Sequence, residues 1–259
     1  MHIYIYDTYV SQKKNNSTII KIETRITDLG LNGKIVRLSM LSSLFEVVQN
    51  EIKKGAKTIT VVGNNNILHN AINALAKLKS QNIIQKTIPL GFIPVGKVNN
   101  SIAFNLGLSL EESACDTISA RRIKTFDLGQ ANDHYFLTEA IIGSRGTSVN
   151  IDQNYSIEIL GVGEIGVVNL PILSELPKEA GSNAEDGILE LFIKTTENNK
   201  FLPFPNKNMK QSIFSFTELT IQNKTKKVLL DKTFEINTPV KISIAPVKID
   251  LIVGKSLKF

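Results

Sequence analysis

Two strand–loop–helix units follow one another between Thr58 and Leu106, and they constrain the fold more than any other stretch. A β-branched run, Thr58-Ile-Thr-Val-Val62, stops at Gly63 and three asparagines, Asn64, Asn65 and Asn66. Apolar residues then recur at helical spacing, at Ile67, Leu68, Ala71, Ile72, Leu75 and Leu78. The pattern predicts a buried strand, a tight turn and an amphipathic helix. A second apolar run, Ile88 to Pro94, ends in Gly96-Lys97-Val98-Asn99-Asn100 and leads to Ile102, Ala103, Phe104 and Leu106. In an open α/β sheet such loops lie at the carboxyl ends of the strands, where ligands bind. Backbone N–H groups at a helix start offer partial positive charge to a phosphate.

The flanking chain extends the pattern. Met1 to Tyr6 alternates as a strand, Gln12 to Ser17 is a polar turn, and Ile19, Ile22, Ile26 and Leu29 mark a helix that Gly30 caps. Lys34 to Leu38 reads as a second strand. Ser39 to Lys54 reads as a helix with Leu41, Leu44, Phe45, Val48 and Ile52 on one face. Strands alternating with helices predict a parallel sheet covered on both faces. Near Ser119 the character changes to short β-rich runs separated by Gly, Asn and Pro. These run from Arg122 to Leu128 through to a last one from Val240 to Val253, the signature of an antiparallel sandwich. Asn206 to Gln211 reads as a short helix or loop, and the two prolines of Phe201 to Pro205 exclude a central strand. The expected organisation is a Rossmann-like α/β domain over 1–118 and a β-sandwich domain over 119–259. The last strands are free to pack back on the first domain, and a cleft is expected between the two.

Composition excludes several classes. One cysteine, Cys115, rules out an intramolecular disulfide and a cysteine-rich metal site, so a reducing cytoplasm is the expected setting. Cys115 itself reads as a small apolar helix residue. His2 to Val10 is a strand-like run with an early Asp7 rather than a leader, and no apolar run is long enough to span a bilayer. The net charge of +6 fits a lysine-rich surface or weak attraction to anionic membranes and phosphorylated ligands. Without an arginine cluster interleaved with aromatics, nucleic acid is not an expected partner. The three histidines, His2, His69 and His134, are too scattered for a metal site. His69 reads as a half-exposed helix residue near the first loop. Gly161-Val-Gly-Glu-Ile-Gly166 lies in a β-rich region with no helix after it and is no dinucleotide fingerprint.

The two loops resemble the motifs of the diacylglycerol kinase and bacterial lipid kinase family, relatives of the sphingosine kinases. That family has a strand ending in GGDGTLNE and, about 30 residues on, a strand ending in P-L-G-T-G-N-D-F-A. Here the first motif reads Gly63-Asn-Asn-Asn-Ile-Leu-His-Asn70 and the second Pro94-Val-Gly-Lys-Val-Asn-Asn-Ser-Ile-Ala103, followed by Asn105-Leu-Gly-Leu108. The second half adds Arg122-Ile-Lys-Thr-Phe-Asp-Leu-Gly129, Val167-Val-Asn169, Ala184-Glu-Asp-Gly-Ile-Leu-Glu-Leu191, Leu229-Leu-Asp231 and Thr238-Pro239, in the family's order. The resemblance implies a nucleotide domain, a β-sandwich, and ATP-dependent phosphorylation of a lipid hydroxyl such as that of diacylglycerol, with magnesium. It also implies a lipid substrate met at the membrane surface and adds a homodimer to the expected partners.

By resemblance, Gly63, Asn64, Asn65, Asn66, Gly96, Lys97, Asn99 and Asn100 form the nucleotide loops. Asp186, in the Asp-Gly motif, is the general base for the lipid hydroxyl; Asp-Gly is equally a common turn dipeptide. Asp127 reads as a structural acid, paired with Arg122 or a backbone amide. The family's two motif acids fall on Asn65 and Asn100, its threonines on Ile67 and Lys97, and a glycine on Val98. A neutral amide offers magnesium one carbonyl oxygen where a carboxylate offers an anion, so no metal ligand is assigned. Lys97 is either a phosphate contact or a surface lysine. Two readings of function stand, an active lipid kinase and a pseudokinase that binds lipid or protein on the same fold. A sugar or cofactor kinase of the NAD kinase type ranks behind both.

Overall fold

The computed structural model of the protein describes residues 1–96, 100–171, 183–197 and 208–257. Strand β1 (His2–Tyr6) leads through helix α1 (Asn16–Asp28) to β2 (Gly33–Arg37) and through α2 (Leu44–Lys53) to β3 (Thr58–Gly63). Helix α3 (Asn65–Ser80) then leads to β4 (Leu90–Pro94). The short α4 (Ser101–Asn105) and α5 (Ala114–Ala120) follow, and β5 (Ile123–Phe126) closes the segment. The apolar stripe of α1, Ile19, Ile22 and Ile26, packs with Ala114, Cys115 and Ile118 of α5 on Tyr4, Tyr6, Val62 and Ile93. Helix α3 has the period read from sequence and buries Ile67, Leu68, Ala71, Ile72, Leu75 and Leu78.

The second unit holds two antiparallel six-stranded sheets. Its strands are β6 (Gly129–Ala131), β7 (His134–Phe136), β8 (Glu139–Gly143), β9 (Thr147–Ile151), β10 (Tyr155–Ile159) and β11 (Val162–Val168). They continue with β12 (Leu189–Glu197), β13 (Asn208–Phe216), β14 (Glu218–Gln222), β15 (Lys227–Leu230), β16 (Phe234–Asn237) and β17 (Val240–Ile244). One sheet has the order β10-β9-β14-β17-β6-β7 and the other β13-β12-β11-β8-β15-β16. One core joins them, with Phe136, Val149, Leu219 and Ile242 from the first and Ile142, Val167, Leu191 and Val228 from the second. This is the expected sandwich. A last strand, β18 (Ile249–Ile252), returns to the first sheet, whose order is β2-β1-β3-β4-β18-β5. It pairs parallel with β4 and antiparallel with β5. The described residues of Met1–Phe126 and Pro246–Phe259 accordingly form the first unit, and those between Asp127 and Ala245 the second.

Several local expectations are corrected. Helix α2 starts at Leu44, because Ser39 and Ser42 close a turn (Ser42 N to Ser39 O, 3.0 Å) and the Ser43 side chain caps the helix by accepting from the Glu46 amide. Leu41 is therefore 98 % exposed, off the apolar face. The run Val240 to Val253 is two strands in different sheets, separated at Pro246, which cannot donate to a ladder. The run from Arg122 divides likewise, with β5 in the first sheet because it pairs with β18. Asn208 already belongs to a strand, β13; the segment 201–205 lies outside the described residues. No helix among the described residues is long and apolar enough to cross a membrane.

Candidate functional site

The strand order fixes where a ligand edge can form. From β1 the chain steps to β2 on one side, then crosses to β3 on the other, so the connections diverge between β1 and β3. The carboxyl ends of strands at such a divergence leave a crevice. Asp7, the first residue after β1, and Gly63, the last of β3, flank it. The Asp7 amide donates to Val62 O at 3.0 Å. A Cβ at Gly63 would stand 2.7 Å from Ile67 Cγ2, 3.1 Å from Asp7 Cβ and 3.5 Å from Asp7 Oδ2. Glycine here is required by this close approach. Ile67, at the family's threonine position, turns inward and is buried.

The first loop caps itself. Asn64 takes an extended backbone at the N-cap of α3, and its Oδ1 accepts from the Asn66 amide at 2.9 Å. One of the free N–H groups of the helix start is thereby engaged by the chain's own side chain. Asn65 is 2 % exposed. Its Nδ2 donates to Ser101 Oγ at 3.2 Å, tying α3 to α4, while its Oδ1 is buried with no hydrogen-bond partner among the described residues. Asn66 is exposed.

The second loop joins the first at the Val95 amide, which donates to Gly63 O at 2.7 Å. Gly96 has φ +80°, a left-handed conformation. Its amide is within 3.4 Å of Glu111 Oε1, a long contact that again occupies a loop N–H with an internal acceptor. The Asn100 Nδ2 donates to Gly96 O at 2.6 Å and Val95 O at 3.3 Å; its Oδ1 is buried without a partner among the described residues. Lys97, Val98 and Asn99 lie outside the described residues. The Tyr9 hydroxyl donates to Val95 O at 2.9 Å. Burial, then the charges of Asp7 and Glu111, push that hydroxyl up to about 12, so it stays a neutral donor.

Gly63, Asn64, Asn65, Asn66, Gly96 and Asn100 thus come together on one edge of one sheet. Sequence reasoning missed Asp7, Tyr9, Ser101 and Glu111 as their neighbours. The signal for Asp7 was its position, the first polar residue after a strand. His69 corrects an expectation. It is buried, with Asn73 Nδ2 at 3.3 Å from its Nε2, because it lies on the inner face of α3 rather than at the loop. Cys115 is buried, and burial first pushes its thiol up to about 12, so it is unreactive. Among the described residues no three His, Cys, Asp or Glu side chains gather as a metal cluster.

In the second unit Asp186 is exposed on the turn Ala184–Gly187. Its Oδ1 accepts from the Ile188 amide at 2.9 Å, and Gly187 has φ +76°, the turn chemistry of Asp-Gly. Asp127 holds this turn from both sides. Its amide donates to Ala184 O at 2.7 Å, and its Oδ2 accepts from the Gly187 amide at 2.8 Å. The partner of Asp127 in this turn is thus a backbone amide. Asp231, in the Leu-Leu-Asp segment, is buried and accepts from the Leu137 and Thr138 amides and the Thr138 hydroxyl.

The comparisons agree with this architecture. The family model for the diacylglycerol kinase catalytic domain matches residues 3–131. A crystal structure of a diacylglycerol kinase from Bacillus anthracis str. Sterne superposes with a TM-score of 0.75 at 19 % identity, covering 99 % of this chain and 98 % of that one. A second structure from the same strain, described as a candidate diacylglycerol kinase, has a TM-score of 0.75 at 17 % identity, covering 99 % of this chain and 97 % of that one. No curated relative matches the sequence. Residues 3–131 belong to the diacylglycerol kinase catalytic domain family, and the two-domain fold is that of its bacterial structures.

Proposed function

We propose that the chain is a lipid kinase that transfers the γ-phosphoryl group of ATP to the hydroxyl of a diacylglycerol-like lipid. The observation that carries this reading is the hydrogen-bonded pair of loops at the β1/β3 divergence, with the N-terminus of a sixteen-residue helix, α3, opening on Gly63. Such an edge suits a nucleotide phosphate. Gly63, Asn64, Asn65, Asn66, Gly96, Lys97, Asn99 and Asn100 are the proposed nucleotide contacts. The Oδ1 atoms of Asn65 and Asn100, buried and without a partner among the described residues, are oxygen donors of the kind magnesium takes. When bound, that ion neutralises charge on the phosphates. In the proposed step the lipid oxygen attacks the γ-phosphorus, the bond to the bridging oxygen breaks and ADP leaves. The hydroxyl proton passes to the Asp186 carboxylate. The lipid is met at a membrane surface.

The test is transfer of labelled phosphate from ATP to vesicles containing diacylglycerol. Turnover is expected in the native chain and lost in Asp186→Asn, with nucleotide binding retained. Unchanged turnover in Asp186→Asn removes this residue as the base.

A second reading has its own support. Asn64 and Glu111 already engage loop amides, and both motif acids are amides. On that account the protein binds lipid or a partner protein without phosphoryl transfer. Native protein that binds vesicles but transfers no phosphate selects it.

A further inference from the structure

We propose that the anionic ligand of the nucleotide's divalent cation is Asp7, supplied from β1 rather than from either glycine loop. The inference rests on the nucleotide reading above and names the acid that both loops lack. Three observations carry it. Asp7 Oδ2 is 3.5 Å from the position of a Gly63 Cβ, so the carboxylate abuts the first loop where the backbone approaches most closely. Oδ1 is committed locally, accepting from Thr8 Oγ1 at 3.0 Å and the Tyr9 amide at 3.3 Å. Oδ2 accepts no hydrogen bond among the described residues. The side chain is thus oriented by one oxygen and offers the other.

The second line is independent of the acid. Asn65, two residues past Gly63, is 2 % exposed, and its Oδ1 has no partner among the described residues. A buried acceptor without a donor is costly, and a hard cation is one partner that satisfies it. The third is topological. Asp7 follows β1 and Gly63 ends β3, the two strands between which the sheet's connections diverge. A carboxylate on that crevice repels a phosphate unless a cation lies between them. Asp7 abuts Gly63 from just past the end of β1 and Asn65 follows Gly63 at the start of α3, so the charge that the first loop lacks is read as supplied from the neighbouring strand.

The test uses Mn2+ as the probe, followed by its electron paramagnetic resonance signal as it titrates into full-length protein with a non-hydrolysable ATP analogue. The inference expects Asp7→Asn to weaken Mn2+ binding at least tenfold. The asparagine keeps an oxygen for the Tyr9 amide, so the thermal midpoint is expected to hold. The exchanged variant Asp7→Asn/Asn65→Asp is expected to recover most of the affinity. Asp7→Ser, which also keeps an oxygen acceptor, serves should the asparagine variant misfold. Native Mn2+ affinity in folded Asp7→Asn or Asp7→Ser overturns the inference, as does analogue binding by the native protein that is indifferent to Mn2+. Both outcomes leave the nucleotide reading intact. A native protein that binds no analogue at all overturns that reading and this one together.

Discussion

The Asp7 carboxylate and the backbone of Gly63 lie side by side at the end of adjacent parallel strands, with Oδ2 3.5 Å from where a glycine side chain would begin. A carboxylate and a phosphate 4 Å apart repel by about 4 kcal/mol at an effective dielectric near 20. That magnitude exceeds a neutral loop hydrogen bond of about 1 kcal/mol. On the proposed reading, charge at this edge outweighs individual loop contacts, and nucleotide binding is expected to depend on a cation.

Gly63→Ala forces its new methyl against Ile67 Cγ2 at 2.7 Å and Asp7 Cβ at 3.1 Å. Overpacking of this kind costs about 1–3 kcal/mol. Chemical denaturation is expected to show that loss. It should also show Gly63→Ala/Ile67→Ala less destabilised than the sum of the single variants, since the second change removes the clashing methyl. Strict additivity would place the strain elsewhere.

The Asn64 cap separates stability from binding. Asn64→Ala is expected to cost about 1 kcal/mol, and Asn64→Gly only a few tenths. The glycine variant also frees the Asn66 amide from Asn64 Oδ1. Calorimetry should show it binding ATP with magnesium more tightly than the native chain. Equal affinity would mean that this amide is not part of the phosphate cradle.

Glu51 gives the fold an acid limit. Burial alone disfavours its charged form, but Lys34 Nζ at 2.6 Å and Lys54 Nζ at 3.5 Å outweigh that and hold the carboxyl below its ordinary value of 4.5. A depressed folded value means stability that is full above about pH 4.5 and lost as the pH falls through the folded value. Glu51→Gln is expected to be less stable at pH 7 by about 1.5–3 kcal/mol, the range for hydrogen bonds to charged groups. It should also show a shallower loss of stability below pH 4.5. Parallel pH profiles for both proteins would contradict the assignment.

The first sheet was legible because β3 is a continuous β-branched run, Thr58–Val62, and α3 carries an unbroken period of three to four over Ile67–Leu78. The start of α2 was not, since Leu41 has the spacing of Leu44, Phe45 and Val48 while Ser39–Ser42 quietly forms a turn. Nor was the division of Val240 to Val253, where apolar character is continuous and only Pro246 marks a change of sheet. The loop residues could be named from motif spacing. Asp7 and Glu111 could not, because their nearness to Gly63 and Gly96 depends on strand order and on a turn far along the chain. His69 looked half-exposed because it lies close to the polar first loop, with Asn70 beside it, yet it lies on the buried side of α3.

The most direct test of the central claim is thermal unfolding with and without ATP and magnesium, checked by calorimetric titration. A ligand at about 100 times its dissociation constant stabilises by about 2.7 kcal/mol. For a chain of this size that is a rise of about 5–10 °C, at about 2–4 °C per kcal/mol. The account predicts that rise only when ATP and magnesium are both present. An unchanged midpoint in a cooperatively folding protein at millimolar ATP and magnesium would contradict it.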